Sequence, residues 1–189
     1  MSARRPDDPI TVLHPSVRPP AVPRKRAAKP PTVQGILRQI SRDGFRTTKD
    51  VETDRGVAEH VVCGPTGAFI VVAKSWRRHV WVASRPARVM VGRSDVTDTV
   101  RRIAQQALEL ERRARRAVAG IEVRALVVVT GTRLPGGPLA LGRATILDIE
   151  RFPSALTAGT TILDDTAARL VADAIVDPSN VVAVSFGAD

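Results

Sequence analysis

The feature that most restricts the fold of this chain is the run "VRALVVVT", residues 123–130, which is apolar almost throughout and shows no alternation. A strand written this way has no face to give to water. It belongs in a sheet covered on both sides, with helices supplying the covering layers. The rest of the chain supplies candidates for those layers. Val96, Val100, Ile103, Ala107, Leu110, Ala114 and Val118 fall in one stripe at helical spacing, with Arg101, Arg102, Arg112, Arg113, Arg115 and Arg116 opposite, which predicts a long amphipathic helix. Val33, Ile36, Leu37 and Ile40 predict a shorter one that ends near Gly44, and "TAARLVADAIV" predicts a third that stops before Asp177-Pro178. Between the first two lie β-branched segments: "FRTTKDVET", then "AEHVVC" and "AFIVVAK" around the turn Gly64-Pro65-Thr66-Gly67, then "HVWVAS" and "ARVMV". These read as an antiparallel meander of five strands. "ATILDI" and a closing "VVAVSF" add two more. The expected fold is α/β, a three-layer core with a mixed central sheet.

Composition bounds the remainder. Residues 1–32 hold eight of the fourteen prolines and seven basic residues against two acidic ones, too little apolar surface to fold alone, so they read as a disordered, basic, Pro-rich tail before one domain over 33–189. The run "RKRAAK" in it suits either phosphate contact or a solvated linker. The chain carries 29 Lys+Arg against 19 Asp+Glu, an excess that favours polyanionic partners, although arginine-rich usage also follows genomic base composition. Cys63, the one cysteine, has no internal partner for a disulfide or a thiolate metal site, and reads as a small core residue of a reduced protein. With no signal-type apolar segment and no run long enough to span a bilayer, a soluble cytoplasmic protein is expected.

The hairpin "HVVCGPTGAFIVVAKSW", residues 60–76, carries the chemistry. If Pro65 and Thr66 form a two-residue turn, Gly64 faces Gly67, and counting outward Glu59 faces Val72 with Cβ atoms ~5 Å apart. Lys74, two residues beyond Val72, projects to the same face. These residues, with the glutamine-bearing helix "RRIAQQALELE" and the strand "RALVVVT", resemble the nuclease-related domain (NERD) family over roughly residues 33–155, most densely from Glu59 to Trp76. The resemblance implies a restriction-endonuclease-like core of the PD-(D/E)XK type and, by ancestry, magnesium-dependent DNA cleavage. In the family the hairpin begins with Asp-His and its second strand ends in Glu-x-Lys. Here those positions hold Glu59-His60 and Val72-Ala73-Lys74, so the lysine is kept and one acid is lost. The family's first-helix glutamate falls near Pro30 or Pro31, and its helical glutamine matches Gln105 or Gln106.

By this resemblance Glu59, Lys74 and Gln106 are remnants of a catalytic site in which Lys74 would stabilise the attacking water or the charge on phosphorus. Magnesium wants carboxylate oxygens, and valine has none, so Glu59 alone makes a weak metal ligand at best. A displaced acid, Glu109 or Glu111 on the long helix, is an alternative; helical angle puts Glu109 on the arginine side and Glu111 beside the apolar stripe. From Gly64 to Ser94 there are six basic residues and no acidic one, and Lys74, Arg77, Arg78 and Arg85 are the candidate phosphate contacts, against the reading that they are solvated edge residues. Trp76 and Trp81 suit either base stacking or burial. His60 and His79 lack a second metal ligand, and no Ser-His-Asp set, P-loop or dinucleotide fingerprint is present.

The expectation is a catalytically impaired NERD-like module that binds DNA or another nucleic acid and needs no cofactor. Two alternatives stay open: a working magnesium-dependent nuclease using Glu59, Lys74 and a further acid, and a protein-interaction module with a basic surface.

Overall fold

The computed structural model describes residues 31–84 and 87–177. Arg85, the tail and the expected closing strand "VVAVSF" lie outside the described residues.

Helix α1 (Val33–Ile40) starts where the Thr32 side chain accepts a hydrogen bond from the Gly35 amide, and Val33, Ile36, Leu37 and Ile40 are all buried. That is the apolar spacing read from sequence, now with its cap. A single 3-10 turn, Ser41–Asp43, and Gly44 at φ 81° lead into β1 (Arg46–Thr53), β2 (Gly56–Gly64) and β3 (Gly67–Lys74). The next strands, β4 (Val80–Ser84), β5 (Ala87–Val91) and the two-residue β6 (Ser94–Asp95), precede helix α2 (Thr97–Ala114). Strand β7 (Val123–Val129), β8 (Leu139–Leu141) and β9 (Ala144–Asp148) follow, then α3 (Phe152–Thr157) and α4 (Asp165–Val176), the latter capped by the Asp164 side chain.

Six strands make the main sheet in the order β1-β2-β3-β7-β9-β8, and β4-β5-β6 form a separate small sheet. The five-strand meander expected from sequence is therefore corrected. Of those five, only β1, β2 and β3 are neighbours in the main sheet, and "HVWVAS" and "ARVMV" leave it. The place beside β3 is taken instead by β7, which pairs with it in parallel from Ala68↔Val123 to Lys74↔Val129, and β9 continues the parallel run beside β7. The continuous apolar sequence of β7 explains the outcome, because the interior position is the one where neither face meets water.

Helices cover both faces. Ile70, Val72, Ala125 and Val127 pack with Ile103 and Leu110 of α2 and Val171 and Ile175 of α4, and the same cluster takes in Val80 and Val89 of the small sheet. On the opposite face Phe69, Val71, Leu126 and Val128 pack with Leu37 and Ile40 of α1 and Phe152 and Leu156 of α3. The result is a three-layer α/β domain with a mixed sheet. Each large side chain fully withdrawn from water here stabilises the fold by ~1.5–3 kcal/mol. Cys63 is one of the buried residues, and desolvation pushes its thiol up to about 12.

Helix α2 is shorter than its sequence stripe. It ends at Ala114, and Val118 lies beyond it, partly buried against the core. Its arginines are also less uniform than a solvated face would be. Arg113 bonds Glu109 and donates to the Glu52 and Ile175 carbonyls, clamping the β1–β2 hairpin and the end of α4 to the helix.

The exits of β3 and β7 are fastened together. The Thr130 amide donates to the Lys74 carbonyl at 3.0 Å, and one residue further a Cβ on Gly131 would overlap the Trp76 carbonyl and press on Arg77. Only glycine allows this approach of backbone to backbone.

Candidate functional site

The two-residue turn sets the register of the hairpin. Gly64 pairs with Gly67 and the ladder runs back to His60↔Val71, so the next position outward places Glu59 across from Val72. Glu59 reaches over the end of β3 and is held twice. Its Oε2 accepts from the Ala73 backbone amide at 3.0 Å, and its Oε1 accepts from Lys74 Nζ at 3.2 Å. The ion pair is partly open to solvent, with the Glu59 side chain 41% exposed and that of Lys74 28% exposed.

Glu59, Val72 and Lys74 line a pocket of about 210 Å³ together with Arg55, Gly56, Val57, Arg102, Ile103 and Gln106. The arrangement chooses between the two glutamines. Gln106 is buried and its Nε2 donates to the Arg55 carbonyl at 3.4 Å, which ties the β1–β2 turn to α2. Gln105 is exposed and lines a different depression, with Asp54, Leu108 and Glu109.

Arg55 and Arg102 are the site residues missed in the sequence. Arg102 appeared there only as one of six arginines opposite the apolar stripe, and Arg55 not at all. What brings them together is the way the β1–β2 hairpin meets α2, and no local pattern announces that. With Lys74, they give the pocket three cationic groups against one carboxylate, and that carboxylate is already paired.

The fit to magnesium is poor. Glu59 is the pocket's only carboxylate and both of its oxygens are engaged by hydrogen-bond donors, while Val72 is 3% exposed and offers no oxygen. Among the described residues no group of three or more His, Cys, Asp or Glu is placed to hold a metal ion. The displaced-acid alternatives are answered by position. Glu109 accepts from the Asp54 amide and from Arg113. Glu111 accepts from the Val123 amide, at the opposite end of β7 from the Lys74 pairing, and is bound by Arg115 and Arg143. Asp148 does lie at the Lys74 end of the sheet, but it is two strands away, about 10 Å, and it holds the Leu134 amide and the Arg151 side chain.

Of the other candidates, Arg77 and Arg78 are exposed in the segment just after Lys74, at the carboxyl end of β3 where open α/β sheets receive ligands. Arg78 lies against the Gly92 turn of the small sheet. Trp76 packs on the core, whereas Trp81 is 42% exposed. The burial expected for both tryptophans holds for Trp76 alone. His79 is exposed, and His60 lines a second pocket with residues of α1.

Comparison with known protein families, with curated proteins and with solved structures finds no match for this chain.

Proposed function

We propose that this protein is a NERD-like, nuclease-related domain that holds the phosphate backbone of a nucleic acid at the Glu59–Lys74 pocket without cutting it. The observation that carries the reading is the joint placement of Glu59, Val72, Lys74 and Gln106 around one pocket rimmed by Arg55 and Arg102. The three-layer α/β core with a mixed sheet is also in keeping with the restriction-endonuclease-like core that the resemblance implies.

In this reading Lys74, Arg55 and Arg102 neutralise phosphate oxygens, and Arg77 and Arg78 extend the contact along the backbone. Val72 takes the place of the second carboxylate, so no metal is gripped and no water is activated. Exposed Trp81 offers a surface for a base, and nothing in the set reads base edges, so binding is insensitive to sequence.

The test is DNA binding at two salt concentrations together with a cleavage assay in magnesium and in manganese. Binding should weaken steeply as salt rises, and Lys74→Ala should shallow the log–log slope by about one unit. Arg77→Ala with Arg78→Ala, which removes two cations, should shallow it by about two units. Metal-dependent cleavage by the unaltered protein, abolished by Lys74→Ala or Glu59→Gln, would replace this reading with that of a working nuclease. Binding that survives high salt and selects a sequence would remove the backbone-phosphate mechanism.

A further inference from the structure

Glu59 and His60 are successive residues of β2 on different surfaces. Glu59 lines the pocket just described. His60 lines another, of about 360 Å³, with Gln34, Leu37, Arg38 and Ser41 of the first helix and its following turn and with Thr47 and Lys49 of β1. Lys49 is the cross-strand partner of His60, so the ammonium and the imidazole share one side of the hairpin.

The lining is chemically one-sided. It contains two cations, two hydroxyls, an amide and an imidazole, and no carboxylate. Among the described residues neither Arg38 nor Lys49 has an ion-pair partner, although eight other arginines and Lys74 do. The Nδ1 atom of His60 makes no close hydrogen bond among the described residues, and the interaction of the imidazole with the Val71 backbone is the weakest of the influences on its titration. An imidazole so lightly engaged, beside two cations that lack an anion, leaves bonding capacity for an acceptor that arrives from outside once the ring turns toward it. Leu37 gives the pocket an apolar floor that a bare inorganic ion would not use.

We infer that this pocket is a second ligand site, for the terminal phosphate of a phosphomonoester, with Arg38 and Lys49 as the charge partners and His60 and Thr47 as hydrogen-bonding groups. A phosphate monoester supplies up to two negative charges for the two cations and oxygens enough for the remaining groups, and its organic part rests on Leu37. The site is separate from the Glu59–Lys74 pocket and does not depend on the nuclease-related reading. Burial, foremost, and Lys49 lower the pKa of His60, against the smaller upward pulls of Glu59 and Asp50; Arg38 from the helix adds a further positive charge to the pocket. An arriving dianion reverses that balance, so binding takes up a proton and tightens as pH falls from neutrality.

The experiment is a titration of the full chain with inorganic phosphate and with adenosine monophosphate, followed by calorimetry and by the amide and imidazole NMR signals of His60 and Lys49. Saturable binding is expected, with the monophosphate the tighter ligand. Arg38→Gln and Lys49→Gln should each weaken it about tenfold, while Arg169→Gln, at an exposed arginine of α4 outside both pockets, leaves it unchanged. Both lost side chains are exposed, so these variants should keep the wild-type melting temperature. His60→Asn should abolish the tightening below neutral pH and leave only the weakening that follows from protonation of the phosphate itself at about pH 6. An oligonucleotide with a terminal phosphate is compared with its hydroxyl-ended twin: preference for the former assigns the monoester to a nucleic-acid end, and equal weak binding of both beside tight monophosphate binding assigns it to a free metabolite. Absence of saturable binding by either small ligand, or binding that is lost with Lys74→Gln and retained in the Arg38→Gln, Lys49→Gln double variant, overturns the inference.

Discussion

Glu59 and Glu111 are both glutamates tied to cations, yet they stand at opposite ends of the β3–β7 pair and the molecule uses them differently. Glu111 has a side chain only 4% exposed, two arginines at 2.6 and 2.7 Å and the Val123 amide at 3.2 Å. Both of its oxygens are engaged, and it joins the end of α2 to the start of β7. Glu59 has one cation at a longer distance, remains well exposed and borders a pocket. A buried carboxylate with all its partners is a structural part, whereas an open one in a cationic setting is available for exchange. The difference teaches that charge alone does not mark a site; an ion pair left open toward a cavity does.

The largest effect is expected at Glu111. Glu111→Ala strips the Val123 amide of its partner and leaves Arg115 and Arg143 without their shared anion, a loss of about 2–4 kcal/mol in urea unfolding. A cost no greater than that of Glu59→Ala would erase the contrast between the two ends.

Next comes Val72→Glu, which puts a second carboxylate across from Glu59 in a position now nearly closed to water. In EDTA it should destabilise the protein by ~1–3 kcal/mol, and magnesium should recover part of that loss in a thermal melt, because a ligand bound only by the native state stabilises it. No recovery in magnesium would mean that the pocket has closed around valine and no longer has the shape of a metal site.

Glu59→Gln should change stability by less than about 1 kcal/mol, as for other solvent-accessible ion pairs. It should instead tighten DNA binding a few-fold, since it frees Lys74 from its internal anion. Weaker binding would assign Glu59 a positive part in holding the ligand and sharpen the comparison in the other direction.

The smallest effect is the acid response of His60. Its pKa in the folded chain lies below the ordinary value of about 6.5, so the fold binds fewer protons than the unfolded chain in that range. Its contribution to stability is present above the unfolded value and is lost as pH falls through the folded one. Melting temperature should therefore drop slightly more between neutral and mildly acidic pH in wild type than in His60→Asn.

Much of the sheet's centre was legible in the sequence. A two-residue turn leaves one register, so Glu59, Val72 and Lys74 could be placed relative to one another by counting, and the structure keeps that arrangement. The unalternating run of β7 announced its interior position for the same kind of local reason. The partner of a strand is not local, and this is why β4 and β5 were assigned to the main sheet: their own residues say that they pair with each other, and nothing in them says that β7 displaces them from β3. The glutamine ambiguity has a geometric source, because neighbours on a helix point about 100° apart and only the packing of α2 decides which one meets the hairpin. Arg113 and Arg115 look from their spacing like a wet face, yet Arg113 clamps carbonyls of β1 and α4 and Arg115 holds the Ile121 carbonyl in the loop that follows the helix. Short pieces such as β8 and α3 carry too few residues to show a period at all.

The contact between Gly131 and Trp76 has a consequence for how tightly anything can be held beyond Lys74. A loop that must be immobilised at the moment of encounter loses conformational freedom then, and that loss is subtracted from its affinity. Here the first residues after β3 are already fixed against the backbone leaving β7, so the ordering is completed during folding, before any partner arrives. Gly131→Ala would force the two exits apart and return that freedom to Arg77 and Arg78, leaving the sheet intact but its basic arm unaimed.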